Sequence, residues 1–291
     1  MSDPSFGPLR IWKDETGSSE AGIVSSSAPH ESLHQRLASD EILRPTLRLR
    51  ESFEPLTLAW YQELERLRYH RHGRWIPRLL DFGKYHGERL LGLGTSLGSD
   101  LVNYAVGGVE VVIANPIADL LGLIRRNFEL RHLPGSFLHA YPKALPIETA
   151  SVDVVYINGL LHEADEPSRV VEETYRVLKP GGKLVALVPA RAEIDFMTKL
   201  GKLLRIPQPT AHAVERGLFS SSASPFDRRS LTQLLSRFQE GRIYRRHLRR
   251  AEVPHLCRWL PLGMLERLTG RLLLFKGFKP VSAARAESLA A

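Results

Sequence analysis

Short apolar segments alternate with amphipathic segments of helical length between residues 89 and 189, and this alternation is the strongest constraint on the fold. We predict strands at 89–93, 109–114, 136–140, 152–158 and 183–189. We predict helices at 99–105, at 117–130 and from about 165 up to the turn Pro180-Gly181-Gly182. Strands separated by helices pair in parallel, because each connection must cross back over the sheet. The pattern therefore predicts an α/β protein with a mostly parallel sheet.

The segments on either side of this alternation complete the predicted fold. Five apolar residues recur at three- and four-residue spacing and predict a helix over 51–72: Phe53, Leu56, Trp60, Leu64 and Leu67. After the alternation we predict a helix from Asp227, a strand at 242–248, a helix at 260–268 and a strand at 271–278. The last two strands would supply an antiparallel pair at the end of the fold.

Composition predicts one large domain with extensions rather than two domains. Residues 1–35 are rich in Ser, Gly, Pro and acids and predict a mobile N-terminal segment. We predict a helical extension at 36–85, the α/β domain at 86–280 and a tail at 281–291. Residues 191–225 have few strand signals and several Pro, Ser and Gly, which predicts an insertion or lid within the domain.

Charge and cysteine content limit the classes of function. The formal net charge of +8 comes largely from arginine. The densest cluster is Arg242, Arg245, Arg246, Arg249 and Arg250. We interpret this cluster as a solvated strand edge and expect no nucleic-acid partner, since no zinc-ligand spacing or RNA-binding signature accompanies it.

Location and membrane topology follow from other features. Cys257 is the single cysteine, which excludes an internal disulfide and predicts a cytoplasmic protein. No apolar run reaches the ~18 residues of a membrane helix, so no membrane span is expected. The first 20 residues show no apolar signal-peptide region.

The segment Gly94-Thr95-Ser96-Leu97-Gly98 follows the first predicted strand and precedes a helix. Glycines in such a loop permit a tight turn and a close approach of the backbone to a ligand. The first N–H groups of the helix remain available as donors. The loop is therefore a candidate ligand-binding element.

Several motifs together carry a family resemblance. In order they are the Gly94–Gly98 loop, Leu145-Pro146-Ile147, Val152-Asp153-Val154-Val155-Tyr156, Leu161-His162-Glu163 and Leu178-Lys179-Pro180-Gly181-Gly182. In order and spacing they resemble class I S-adenosylmethionine (SAM) dependent methyltransferases, specifically the bacterial type 11, UbiE-like group. The resemblance implies a Rossmann-like seven-stranded sheet with a C-terminal antiparallel pair. It also implies methyl transfer from SAM to a small-molecule or lipid-like acceptor.

The resemblance also implies a set of site residues. Cofactor contacts are expected from Gly92, Gly94, Ser96, Gly98, Asp100, Asn115, Pro116, Tyr141, Asn158 and Leu160. His162 matches a family histidine and is the candidate catalytic residue, as an acceptor contact or a general base; a packing or capping role is the alternative. No metal site is expected.

Four of these positions depart from the family pattern. Gly92 stands where the family has an acid before the loop, and Ser96 replaces the middle glycine. Asn115 replaces the acid that binds both ribose hydroxyls, and its carbonyl accepts a hydrogen bond without charge. Tyr141 replaces the acid near the adenine amino group and offers a stacking surface instead. The cofactor site is therefore predicted to be rewired.

Two other functions remain open at the sequence level. The fold could serve as a catalytically degenerate binding or regulatory partner, because the family acids at Gly92, Asn115 and Tyr141 are absent. Alternatively, Gly94–Gly98 matches the Gly-x-Ser-x-Gly nucleophile elbow of α/β-hydrolases. In that case Ser96 would be the nucleophile, with Asp153 and either His247 or His255 as partners.

Overall fold

The computed structural model describes residues 53–94, 96–191, 226–248, 253 and 259–281. The predictions for 1–35, for nearly all of the 191–225 insertion and for the tail beyond 281 lie outside these residues. Arg249, Arg250 and His255 also lie outside them. The elements in chain order are α1 (Leu58–Arg66), a π-helix (Leu67–His72), α2 (Ile76–Leu79), β1 (Arg89–Leu93), α3 (Ser99–Val106), β2 (Glu110–Asn115), α4 (Ala118–Glu129), β3 (Ser136–His139), β4 (Val152–Asn158), α5 (Pro167–Val177), β5 (Leu178–Pro189), α6 (Arg228–Leu234), β6 (Gln239–Arg246), α7 (Leu262–Thr269) and β7 (Leu272–Phe278).

These strands form a seven-stranded sheet in the order β3-β2-β1-β4-β5-β7-β6. Strands β1 to β5 are parallel, and β7 pairs antiparallel with both β5 and β6. This topology confirms the predicted α/β fold with an antiparallel C-terminal pair.

Helices cover both faces of the sheet, because side chains alternate along each strand. Leu90 of β1 packs on one face with residues of α1, α3 and α4, including Leu64, Leu101 and Ile124. Leu91 packs on the other face with Val170 of α5 and residues of α6. Strands that are buried on both faces consist of nearly continuous apolar residues, which explains why the sequence predicted β1, β2 and β4.

Strand β6, predicted at 242–248, runs from Gln239 to Arg246, and most other boundaries differ by one or two residues. Two predicted boundaries are wrong by five residues or more. The first helix begins at Leu58 rather than near 51, because the Thr57 hydroxyl accepts from the Trp60 N–H and caps it there. Strand β5 begins at Leu178 rather than at 183, since the chain is already extended where α5 ends. The Pro180-Gly181-Gly182 segment is therefore part of β5.

The extension before β1 is tied to the sheet by charge as well as by packing. The buried Asp81 carboxylate binds the ammonium groups of Lys183 on β5, at 2.9 Å, and of Lys276 on β7, at 2.6 Å. Although burial opposes it, hydrogen bonding to these lysines and Lys84 lowers the pKa of Asp81 to about 2. Asp81 thus stays ionised and joins the extension to two strands.

The three arginines of the cluster that the structure describes lie on the predicted strand. Strand β6 forms one edge of the sheet, with Arg242 exposed and Arg245 and Arg246 half-buried. None of the helices in the described ranges has the length and apolar character that crossing a bilayer requires.

Candidate functional site

A cavity of about 360 Å³ lies at the carboxyl ends of the parallel strands. Ligands of open α/β sheets bind in this position, where neighbouring connections diverge. The segments that follow β1, β2, β3 and β4 line the cavity, together with the end of β5 and the start of β7. The predicted site residues that line it are Gly94, Ser96, Asn115, Pro116, Tyr141, Asn158, Leu160 and His162.

Left-handed backbone conformations shape the loop after β1. Gly94, Ser96 and Gly98 have φ angles of 81°, 48° and 77°. A side chain at Gly94 would also place its Cβ 2.4 Å from the carbonyl oxygen of Asn158. The loops after β1 and β4 can therefore approach closely only with glycine at this position. Ser96 adopts a conformation that favours glycine, which explains why the family has one there.

Gly92 and Gly98 have packing roles and do not line the cavity. Gly92 lies within β1, and a Cβ there would come within 2.7 Å of the Leu101 side chain. Gly98 caps α3, and a Cβ there would come within 2.7 Å of Ile124 Cγ2. These glycines let α3 and α4 lie close to the strand ends. Direct cofactor contact by either residue stays a prediction.

Asn115 joins two of the cavity loops. Its side-chain Nδ2 donates to the Gly94 carbonyl at 3.1 Å, and its Oδ1 accepts from the Ile117 N–H at 2.9 Å. The residue is almost fully buried. Its amide group thus stabilises the geometry of the cavity, a role that sequence reasoning missed.

Asp100 is engaged by protein groups. Its carboxylate accepts two hydrogen bonds from the Arg68 guanidinium, at 3.0 and 2.5 Å, and one each from the hydroxyls of Tyr69 and Tyr156. Both members of the ion pair are buried. Asp100 does not line the cavity, so the structure supports a positioning role rather than direct contact.

The lining near the ends of β2 and β3 is largely apolar. Leu97, Ile117 and Leu120 lie beside the cavity, and Tyr141 lies at its rim with 64% of its surface exposed. His139 holds the turn after β2 through a 3.1 Å hydrogen bond between its Nε2 and the Pro116 carbonyl. An apolar wall with an exposed aromatic ring suits a flat, stackable ligand group.

His162 lies in the cavity wall and is mostly buried. Burial lowers the pKa of its imidazole to about 4, so the ring is neutral near pH 7. Its Nε2 lies 3.7 Å from the Glu163 carboxylate, and among the described residues its Nδ1 is buried without a hydrogen-bond partner. A neutral imidazole with an unsatisfied nitrogen is suited to a hydrogen bond with a bound ligand.

Three carboxylates form a further part of the cavity that sequence reasoning missed. Glu163, Asp165 and Glu166 line it from the connection between β4 and α5. Lys143 lines the opposite side, and its ammonium group lies 3.2 Å from the Glu166 carboxylate. Asp165 and Glu166 stand at the start of the helix predicted from about 165, where acids are also favoured by the helix dipole, so their position alone did not indicate a cavity. The cavity therefore has a net negative rim.

Residues 91–186 match the family model described as a methyltransferase domain. This stretch of the chain is similar to a methyltransferase domain, and the strand order of the sheet is that of the predicted class I fold. A SAM-dependent methyltransferase from Aquifex aeolicus has the same fold, with a TM-score of 0.50 and 16% identity over 78% of this chain and 99% of that chain. The predicted fold and the predicted resemblance to methyltransferases are confirmed.

Two curated relatives show the extent of the sequence similarity. The demethylmenaquinone methyltransferase of Thermus thermophilus is 34% identical over 117 residues, which cover 39% of this chain and 53% of that protein. The 27-O-demethylrifamycin SV methyltransferase of Amycolatopsis mediterranei is 29% identical over 177 residues, which cover 56% of this chain and 62% of that protein. The chain spans about half the length of the curated relatives that it matches first.

The geometry of the methyltransferase domain does not form the hydrolase triad. Asp153 lies at the start of β4, where its carboxylate accepts from the Arg89 N–H at 3.0 Å and from Lys179 Nζ at 2.7 Å. Arg89 begins β1, whereas Ser96 follows its end, so a five-residue strand of roughly 15 Å separates the two regions. Asp153 therefore cannot orient a base for Ser96.

The cavity of the methyltransferase domain fits SAM in three respects. Gly94 lines the cavity with backbone atoms alone, which permits a ligand to approach the loop closely. The negative rim complements the sulfonium and ammonium charges of SAM. The apolar wall near Tyr141 suits the adenine ring.

Proposed function

We propose that this protein is a SAM-dependent methyltransferase that acts on a small-molecule or lipid-like acceptor. The observation that carries the proposal is the cavity at the carboxyl ends of β1, β2 and β4, formed by the loops of a methyltransferase domain. A single cysteine is compatible with a cytoplasmic location, which is part of the proposal.

The main chain would hold much of the cofactor. Gly94, Ser96 and Leu97 line the cavity beside the turn Asn158-Gly159-Leu160, which contacts the loop at Gly94. These segments would bind the methionine end, while Tyr141 and Ile117 would enclose the adenine. The Asn115 amide carries no charge and already binds two backbone groups. We therefore expect uncharged groups to bind the ribose of SAM.

When bound, SAM supplies a methyl group on a sulfonium, which is already an activated leaving group. The protein must then mainly align the acceptor with the methyl carbon, since proximity and orientation account for much of such catalysis. His162, which lines the cavity, would hold the acceptor by a hydrogen bond through its neutral imidazole. With its pKa lowered to about 4, this imidazole is too weak a base to remove a proton from an ordinary alcohol.

The acceptor class rests on the cavity and on the relatives. The lining combines apolar residues from β5 and β7, such as Leu187 and Leu272, with the polar His162 and Asn158. The two curated relatives are named for methylation of a quinone precursor and of a rifamycin. An acceptor with an apolar body and one polar group would match this lining.

Isothermal titration with SAM and S-adenosylhomocysteine tests the cofactor site. We expect micromolar binding by the purified protein. Gly98→Asp should weaken it at least about tenfold, because an aspartate there meets both a left-handed backbone and Ile124. Gly122→Ala is the matched control, since Gly122 lies in α4 with open space around its Cα.

The alternative function predicts a different result. A degenerate methyltransferase fold with a regulatory role would bind neither ligand at millimolar concentration while remaining folded. The engagement of the Asn115 amide by Gly94 and Ile117 is the observation that favours this alternative. Circular dichroism of the same samples distinguishes loss of the site from loss of the fold.

A further inference from the structure

Helix α7 has an apolar surface wider than the surface it buries. At about 100° per residue, Met264, Leu268, Leu265 and Leu262 occupy roughly 160° of its circumference. Leu265 and Leu262 pack in a small cluster with Val253 and Leu248. Met264 and Leu268, one turn apart, instead remain 45% and 49% exposed. Half of the apolar face of α7 is therefore directed to solvent.

A tryptophan extends this exposed surface. Trp259 lies two residues before Pro261, which caps α7, and 80% of its surface is exposed. It is the most exposed of the large apolar residues in the described part of the chain. Tryptophan is enriched at the headgroup level of membranes, where its apolar ring and its N–H are both satisfied.

In the described segments next to α7, positive charges outnumber negative ones. Residues 241–248 and 259–272 together contain five arginines and one acid. The arginines are Arg242, Arg245, Arg246, Arg267 and Arg271. The acid is Glu266, and its carboxylate accepts from the His247 N–H at 2.8 Å. Anionic lipid surfaces attract such clusters, which favours a bilayer over an uncharged partner.

This surface adjoins the cavity. Arg246 of β6 pairs with Leu272 of β7, and Leu272 lines the cavity. The Arg245 guanidinium donates to the carbonyl of Gly270, which ends α7, at 2.7 Å. The carboxyl end of α7 and the arginine-rich end of β6 therefore lie at the same edge of the sheet as the cavity.

We propose that Trp259, Met264 and Leu268, with Arg267 and Arg246, form a docking surface for an anionic lipid bilayer. The apolar side chains would enter the interface between headgroups and acyl chains, and the arginines would contact anionic headgroups. The protein would associate peripherally, with its cavity next to the membrane. A lipid-like ligand could then reach the cavity without crossing water.

Vesicle sedimentation with the full chain tests this surface and requires neither SAM nor an acceptor, so its result is independent of the proposed function. Vesicles of equal parts phosphatidylglycerol and phosphatidylcholine are compared with phosphatidylcholine alone. We expect binding to the anionic vesicles that weakens on the order of tenfold in the double variant Met264→Gln, Leu268→Gln. Arg267→Gln should weaken it about fivefold, and only with anionic vesicles.

Two matched controls lie at the other end of the molecule. Val106 ends α3 on the side of the sheet opposite the cavity, and 69% of its surface is exposed. Val106→Gln therefore removes an exposed apolar residue outside the proposed docking surface. Arg78→Gln removes an exposed charge from α2. Both should leave vesicle binding unchanged.

Three results would overturn the proposal. They are the absence of binding to anionic vesicles, equal effects of the surface variants and the controls, and a dimer in light scattering that the double variant dissociates. The last result would assign the surface to a second copy of the chain. Thermal unfolding of each variant, which substitutes only exposed residues, identifies any loss of fold.

Discussion

At the residue scale, single polar side chains decide the shape of the cavity. Asn115 occupies a position where the family resemblance led us to expect a ligand contact, and in the cavity wall it binds the Gly94 carbonyl and the Ile117 N–H. An amide provides both a donor and an acceptor for these two backbone groups, whereas a carboxylate provides only acceptors. The amide that replaces the family acid at residue 115 therefore stabilises the geometry of the cavity in this chain.

Asn115→Asp should not restore tighter cofactor binding. A carboxylate cannot donate to the Gly94 carbonyl and repels it, so we expect the free energy of unfolding to fall by about 1–3 kcal/mol. SAM affinity, measured by titration, should stay equal or fall. Asn115→Ala, which removes both bonds without adding charge, is the control. Tighter SAM binding by the aspartate variant would show that the position acts as it does in the family.

At the element scale, the π-helix and α3 depend on one buried ion pair. Arg68 and Tyr69 of the π-helix both bind Asp100 of α3, and Tyr156 of β4 binds the same carboxylate. A buried charge requires this degree of pairing, because an unpaired one is strongly destabilising. The network thus positions the helix that follows the Gly94–Gly98 loop.

Asp100→Asn should destabilise the protein by roughly 3–5 kcal/mol, because it leaves the Arg68 charge buried without its partner. Urea unfolding measures this loss. Adding Arg68→Met to the variant should recover part of it, since the unpaired charge is then removed. If Asp100→Asn instead kept its stability and lost SAM affinity, Asp100 would be a cofactor contact as the sequence predicted.

At the scale of the whole molecule, Asp81 connects the extension to two strands that lie more than a hundred residues further along the chain. Its carboxylate binds Lys183 and Lys276, and these contacts hold its pKa near 2. A carboxyl whose pKa is lowered by folding stabilises the native state above its unfolded pKa. This contribution is lost as the pH falls from about 4 towards the folded value of about 2.

Asp81→Asn should therefore lower the free energy of unfolding by about 2 kcal/mol at pH 7. The difference from the wild type should shrink as the pH falls below 4, because the wild-type carboxyl then becomes protonated. Denaturant unfolding at pH 7 and near pH 3 measures both values. Asp119→Asn, in the first turn of α4, is a control that lacks this network. A difference that did not depend on pH would show that the ion pairs contribute little.

The sequence by itself determined the class of fold and the order of its elements. Strands β1 and β4 have the predicted bounds, since segments buried on both faces must be apolar throughout. The ends of the elements were predicted less well than their order. Apolar spacing predicted that the first helix begins near residue 51, but the Thr57 hydroxyl caps α1, which begins at Leu58. The periodicity of apolar residues indicates which face of an element is buried, whereas helix caps and extended backbone determine where the element begins and ends.

Only the tertiary structure decided what the polar residues do. Asn115, Asp100 and His162 were all expected to face a ligand. Asn115 lines the cavity and also binds protein groups, whereas Asp100 binds protein groups away from the cavity lining. His162 lines the cavity with a buried nitrogen that the described residues leave unpaired. Glu163, Asp165 and Glu166 form part of the cavity rim, and the sequence did not predict that they line the cavity. A polar side chain bonds to whichever group folding brings within about 3 Å, and that neighbour is usually distant in sequence.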